Sequence, residues 1–377
     1  MSNDQNDGRG QSASTGGAYA LSEILSQPQC WDACLKLLDS GKQAQEAARM
    51  FSEAKEWLFI GCGSSYYVAL AAAAYWNQIT GTRARAIPAS ELLLYPDLVL
   101  SNGGPYCPVL ISRSGRTSEV LKAAEFLQSK KIKSLAITCA PGQPLEKLAT
   151  LTVCLAPADE RSTVMTRSFT SMLLALQYLA AKLAKREDAA ADLRRLPQIA
   201  DEFLNSLPRR VRDFVGTYRF ADYICLGQGP FYGLACESAL KLTEMSVSYG
   251  QSFHTLEFRH GPKSVVGPET LLLFLLSETG YQAECEVLEE MKKLGGTTLV
   301  IANRAEARAH AAADFLVELG MDVAEFTRLA PSIFTGQLMG LYTGLAKGLD
   351  PDHPRHLSRV VILDDEKSPE TTEHAAL

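Results

Sequence analysis

A grammar that repeats along the chain constrains its fold most: a short apolar run, a glycine-bearing turn, then a helical pattern. WLFIGCGSS, from Trp57, is such a run, and the alanine-rich YYVALAAAAYW follows it. ARAIPASE gives another strand and loop, while PVLISRSG, from Pro108, and SLAITCA, from Ser134, each lead into a further helical segment. Strands alternating with helices of about 10–15 residues predict a parallel sheet covered on both faces. After a long helical stretch, about 169–207, the grammar returns in DYICLGQGP, GLACESALKLTEMS, LLLFLLSE, AECEVLEEMKKLGG and TTLVIANR. In each half a Gly-x-Gly turn ends the first strand, and a serine- or glutamate-bearing strand exit comes about 50 residues later. The expected fold class is therefore α/β, with two tandem doubly wound domains, each a three-layer, flavodoxin-like parallel sheet between helices. The expected boundaries are a disordered leader at 1–20, a helical lead-in at 21–44, a first domain at 45–205, a second at 206–363, and a tail at 364–377. In such sheets ligands collect beyond the carboxyl ends of the strands, where these turns lie.

Composition narrows the function. With 46% hydrophobic and 21% charged residues, 377 positions suffice for a large core without crosslinks. A net charge of -6 and no basic patch argue against a nucleic-acid partner. The nine cysteines form no C-x-x-C pair, and several sit in apolar runs, as reduced cytoplasmic thiols do. No metal or other cofactor is expected. The polar start MSNDQNDGRGQSASTGG has no signal-peptide core, and no stretch of about 18 apolar residues suggests a membrane span. A cytoplasmic protein with no membrane partner is the expectation.

The turn SRSGRTS, from Ser112, is rich in hydroxyls and sits between a strand and a helix. Helix N-termini favour anions through free N–H groups and the dipole, and small hydroxyl residues add short donors. Ser112, Ser114 and Thr117, with Gly115 allowing the tight turn, can meet Ser64 and Ser65 from the first turn around one phosphate. Alternatively, Ser114 or Thr117 merely caps its helix. GQGPFY, from Gly227, lacks the full dinucleotide fingerprint. On CESALKLTEMS, Glu237, Lys241 and Glu244 are spaced by four and three residues, hence share one helical face. That row is either a solvated ion-pair stripe or part of a site.

GCGSSYYVAL, SRSGRTSE, TRSFTSMLLALQYLA, ESALKLTEMS, FRHGPKS and PRHLSRVV together resemble the sugar isomerase (SIS) family. The likeness covers about residues 50–363 and is to the paired form found in the isomerase half of glucosamine-6-phosphate synthase and in bacterial amino-sugar-phosphate deaminases. The resemblance implies that Ser64, Ser65, Ser112, Ser114 and Thr117 hold a sugar phosphate. It also implies that Glu244 shuttles a proton between C1 and C2, that His260 opens the ring, and that Glu237 and Lys241 support them. His254 is a rival to His260. In relatives this histidine can reach a neighbouring subunit's site, so a homodimer with a shared active site is implied.

Arg359 falls where the synthase has its imine-forming lysine, and a permanently protonated guanidinium cannot replace that amine. Synthesis of glucosamine 6-phosphate from glutamine is therefore not expected; Arg359 is left as a contact for an anion or hydroxyl. The expected activity is an amino-sugar phosphate deaminase/isomerase, taking glucosamine 6-phosphate to fructose 6-phosphate and ammonia. The alternatives are a fructosamine-6-phosphate deglycase, another ketose–aldose isomerase, or a phosphosugar sensor without catalysis.

Overall fold

The structure, a computed structural model, describes residues 16–101 and 103–363. Most of the expected leader and all of the expected tail lie outside them. Residues 18–20 of that expected leader are helical. The lead-in is three helices, Ala18–Leu25, Gln27–Ser40 and Gln43–Met50. The first is tied down at its start, where Asp350 accepts from Gly17 N at 3.0 Å and Asp352 from Ala20 N at 2.7 Å.

Two parallel five-stranded sheets follow. The first comprises β1 (Glu56–Gly61), β2 (Arg83–Pro88), β3 (Tyr106–Ile111), β4 (Leu135–Thr138) and β5 (Leu151–Cys154), in the order β2-β1-β3-β4-β5. The second comprises β6 (Asp222–Gly227), β7 (Tyr249–His254), β8 (Thr270–Leu275), β9 (Thr297–Ala302) and β10 (Phe315–Glu318), in the order β10-β9-β8-β6-β7. Read from the first strand of each half, the orders coincide. Alternate residues of each central strand face opposite ways, and both ways are buried. Trp57 and Phe59 join a core that also holds Cys225 and Leu273 of the second sheet. Leu58 and Ile60 pack under Val120, Ala123 and Leu127 of an outer helix. Two-sided burial is why these strands read as unbroken apolar runs. The helix Arg167–Leu183 is buried continuously from Ser168 to Ala181, so it belongs to that shared core.

Three glycines at steps of four fix the helix that will matter most. A Cβ on Gly336, Gly340 or Gly344 of the helix Phe334–Ala346 would stand 2.3 Å from Ser238 Oγ, 2.6 Å from the Lys241 carbonyl oxygen, or 2.2 Å from that of Met245. Backbone cannot yield as a side-chain tip can. Gly340→Ala should gain about 1 kcal/mol of helix propensity but incur an overpacking cost of about 1–3 kcal/mol. Net destabilisation is expected, read as a lower urea midpoint; a midpoint at or above the parent's would show that the helices can part.

The turn after β8 buries a carboxylate. Glu284 is fully buried and accepts from Ser277 N and Ser277 Oγ, both at 2.7 Å. Burial pushes its carboxyl up to about 7, against the pull of the Ser277 bonds. Between the ordinary value of 4.5 and 7 the folded chain holds this proton longer than the unfolded one does, so stability from this group falls as pH rises through that window. Glu284→Gln removes the slope. Its stability relative to the parent should grow between about pH 5 and pH 8, by up to about 3 kcal/mol. A pH-independent difference in urea midpoints would contradict this.

Candidate active site

A cavity of about 650 Å³ opens at the carboxyl ends of β1 and β3, lined by Ser64, Ser65, Arg113, Ser114, Thr117 and Glu244 among others. These adjacent strands are where the strand order reverses, the place open α/β sheets reserve for ligands. After β1, Gly63 at φ 53° turns the chain into the helix Ser64–Thr80. Gly61 must be glycine because a Cβ there would lie 2.6 Å from the Ser65 backbone. After β3, Gly115 at φ 61° shapes the turn that enters the helix Ser118–Ser129. Neither helix has a side-chain cap. The capping alternative for Thr117 therefore fails: its hydroxyl lies 3.1 Å from that of buried Ser112. Ser112 stands behind the wall and orients Thr117, whereas Ser114 Oγ accepts from Arg116 N at 3.2 Å. Cys62 also lines the cavity, and burial pushes its thiol up to about 11, too high for a thiolate near neutrality.

The acid–base row comes from the other half. The helix Phe231–Ser246 crosses Ser64–Thr80 so closely that a Cβ on Gly233 would sit 2.8 Å from Ala71 N. Lys241 Nζ thereby reaches the first turn, 3.3 Å from Ser64 Oγ, while lying 2.5 Å from Glu244 Oε2 and 3.2 Å from Glu237 Oε1. The side chains of Lys241 and Glu237 are 0% exposed and that of Glu244 is 18% exposed, facing the cavity. Such burial excludes the solvated-stripe reading. Burial pushes Glu237 up to about 7; Lys241 opposes that rise and Glu244 adds to it. Burial alone would depress the Lys241 ammonium, but the two carboxylates outweigh it and hold it above its ordinary range. The row is thus an ammonium between the cavity-facing Glu244 and a buried second carboxyl, Glu237, that readily carries a proton near neutrality.

A third segment crosses the mouth. Ser118 N donates to the Val361 carbonyl at 3.2 Å and Leu363 N to Ser118 Oγ at 2.9 Å. Arg113 secures it: one guanidinium nitrogen donates to the Arg359 carbonyl at 2.9 Å, and another meets Glu160 at 3.1 Å. Glu160 in turn accepts from Thr166 N and Ser168 N, at 2.7 and 3.0 Å. The Arg359 side chain is paired with Asp159, so its residue lines the cavity while its charge is already countered. Neither the Arg113–Glu160 clamp nor the glycine row of Phe334–Ala346 was identified from sequence; the four-residue glycine spacing was a readable signal, whereas Glu160 carries none.

His260 is not brought to this cavity by its own chain. It is exposed, between the short turns Glu257–Arg259 and Pro262–Val265. His254 does not line it either; its ring stacks on Tyr232 at 3.8 Å, and burial depresses its pKa. A larger cleft of about 1020 Å³ lies at the opposite end of the first sheet, but its charged residues, Glu53, Lys131 and Lys133, are all exposed. Among the described residues no helix is long and apolar enough to cross a membrane.

The chain is similar to known proteins in sequence and fold. Glutamine–fructose-6-phosphate aminotransferase (isomerizing) of Bacteroides thetaiotaomicron is 25% identical over 365 residues, covering 92% of this chain and 58% of that protein. Its Helicobacter pylori counterpart is 27% identical over 316 residues, covering 80% and 51%. The chain thus spans between half and three fifths of the length of these relatives. The crystal structure of glucosamine-6-phosphate deaminase from Thermotoga maritima superposes with a TM-score of 0.73 and 28% identity, covering 92% of this chain and 100% of that one. Tagatose-6-phosphate ketose/aldose isomerase from Escherichia coli, 23% identical with a TM-score of 0.80 over 93% and 98% of the two chains, shares the fold. The SIS domain profile matches residues 50–182 and 223–344, more than half the sequence and one stretch in each sheet, so the chain belongs to the SIS domain family.

Proposed function

We propose that this phosphosugar isomerase-type protein is an amino-sugar phosphate deaminase/isomerase, converting glucosamine 6-phosphate and water to fructose 6-phosphate and ammonia. The observation that carries this reading is the buried Glu237–Lys241–Glu244 row opening onto the hydroxyl-lined cavity, with an arginine rather than a lysine at 359. The match along the whole Thermotoga maritima deaminase chain supports it.

In this reading the phosphate rests on Ser64, Ser65, Ser114, Thr117 and the first-turn amides of their helices, with Ser112 orienting Thr117. Glu244 removes the C2 proton of the open-chain aldosamine and returns it to C1. The C2–H bond breaks, an enolamine forms, and protonation at C1 leaves a ketimine at C2. Water adds to that carbon and ammonia leaves, so the enzyme need not form an imine of its own. Lys241 holds the Glu244 carboxylate in place through their ion pair, and Glu237 takes up charge imbalance within the row. His260 opens the sugar ring from a neighbouring chain, which makes the functional unit a homodimer. Arg359 contributes its backbone to the site and is not a catalytic residue.

Ammonia release by the full chain from glucosamine 6-phosphate, with galactosamine 6-phosphate and a fructosamine 6-phosphate in parallel, tests the reading. Release from an aldosamine phosphate supports it and identifies the epimer. Release from the fructosamine alone replaces it with a deglycase, and interconversion of sugar phosphates without ammonia with a plain isomerase. Thermal stabilisation by the sugars without turnover replaces it with a sensor.

A further inference from the structure

Because the two halves share a strand order, the phosphate-binding turn has a counterpart in the second half. Gly61 and Gly227 are matched: a Cβ on either would strike backbone four residues on, at Ser65 or at Phe231. Ser112 N and Leu276 N are matched as well, bonded to the carbonyls of Ile137 and Ile301 on the neighbouring strands at 3.0 and 2.9 Å. The turn running from Leu276 to Gly280 and the helix Tyr281–Lys293 therefore correspond to the seat and helix of the first half.

An anion already occupies that turn, and it comes from the chain itself. The Glu325 carboxylate, 47 residues further on from Glu278, accepts from Glu278 N at 2.5 Å, Thr279 N at 3.3 Å and Thr279 Oγ1 at 2.7 Å. Beside it is Arg328, 4% exposed, paired with the Glu278 carboxylate. Asn303 Nδ2 also donates to Glu278, at 3.0 Å; the buried Glu284 carboxyl is the other acidic group at this turn, held by Ser277 N and Oγ and pushed up in part by Glu325 itself. Glu325 and Arg328 line the same small, nearly filled cavity. Pro230 and Phe231 stand where the first half has Ser64 and Ser65, so the remaining donors are the turn amides, Thr279 and Arg328.

We propose that the second half contains a latent anion seat that the chain closes with its own Glu325 carboxylate, leaving each chain one working seat for a phosphosugar. The bound anion is supplied intramolecularly, without the translational entropy cost that a free phosphate must meet. Opening the seat should let a free anion take that place.

The test compares Glu325→Ala with the parent, as full chains, by thermal unfolding in inorganic phosphate against chloride at equal ionic strength. The variant should unfold at a lower temperature in chloride, and phosphate at about ten times its Kd should raise its Tm by about 2 °C more than it raises the parent's. Calorimetry should count one more phosphate per variant chain than per parent chain. The first half contributes alike to both proteins, so the difference reads the second half alone. Glu325→Gln, which keeps the shape and an acceptor, should gain no additional phosphate. An equal response of Glu325→Ala and the parent overturns the proposal. Should Glu325→Ala fail to fold, Glu325→Asp, one methylene short of the seat, takes its place with the same two outcomes.

Discussion

Glu244→Gln is expected to lower turnover of the aldosamine phosphate by about 10²–10⁴-fold, the range a positioned base contributes, while sugar phosphate binding changes by less than about threefold. The amide keeps the volume and polarity of the side chain but cannot accept the C2 proton. The proposed phosphate donors lie at the starts of two other helices and the turn before one of them, so the change leaves them in place. Steady-state ammonia release and calorimetric binding of the sugar phosphate read the two effects separately. Retained turnover would remove Glu244 as the shuttle. Lost binding would instead show that its charge organises the cavity.

Lys241→Met should have the largest effect on stability. It replaces a side chain 0% exposed with one of similar length and leaves Glu237 and Glu244 facing each other without a cation. Removing one partner of a buried ion pair costs about 3–5 kcal/mol, because the remaining charge stays desolvated. Much of that cost should return in the double variant Lys241→Met/Glu237→Gln, which no longer asks the core to hold a carboxylate. Turnover should not return with it, since Glu244 would still lack the ammonium that holds it in position. Urea midpoints of the two single variants and the double variant give the coupling directly. A single-variant cost below about 1 kcal/mol would place the row in water, contrary to its burial.

The fold was legible because two-sided burial leaves an unambiguous trace. A strand covered on both faces cannot hide its apolar run, and β1, β3, β6 and β8 each end at a turn with glycine or small residues nearby. Gly61 and Gly227 were readable as turn glycines, although the reason each is required, a backbone contact with the following helix, is a tertiary fact. On chemistry alone the hydroxyl turn at Ser112 read either as an anion seat or as a helix cap, and the structure shows no side-chain cap on the helix that follows it. Spacing placed Glu237, Lys241 and Glu244 on one helical face, but spacing is the same for a solvated stripe and a buried row.

What the sequence determined by itself was the order of elements, the duplication, and the residue types at the two turns, since these depend on local periodicity and backbone chemistry. Only the tertiary structure decided that Lys241 of the second half meets Ser64 of the first and that Arg113 clamps the segment across the mouth. It likewise showed that the Arg359 charge faces Asp159 and that Glu325 fills the second turn. The physical reason is distance along the chain. Burial and pairing among residues 46 to 246 positions apart are set by how helices pack, and no local pattern encodes which charge will lose its water.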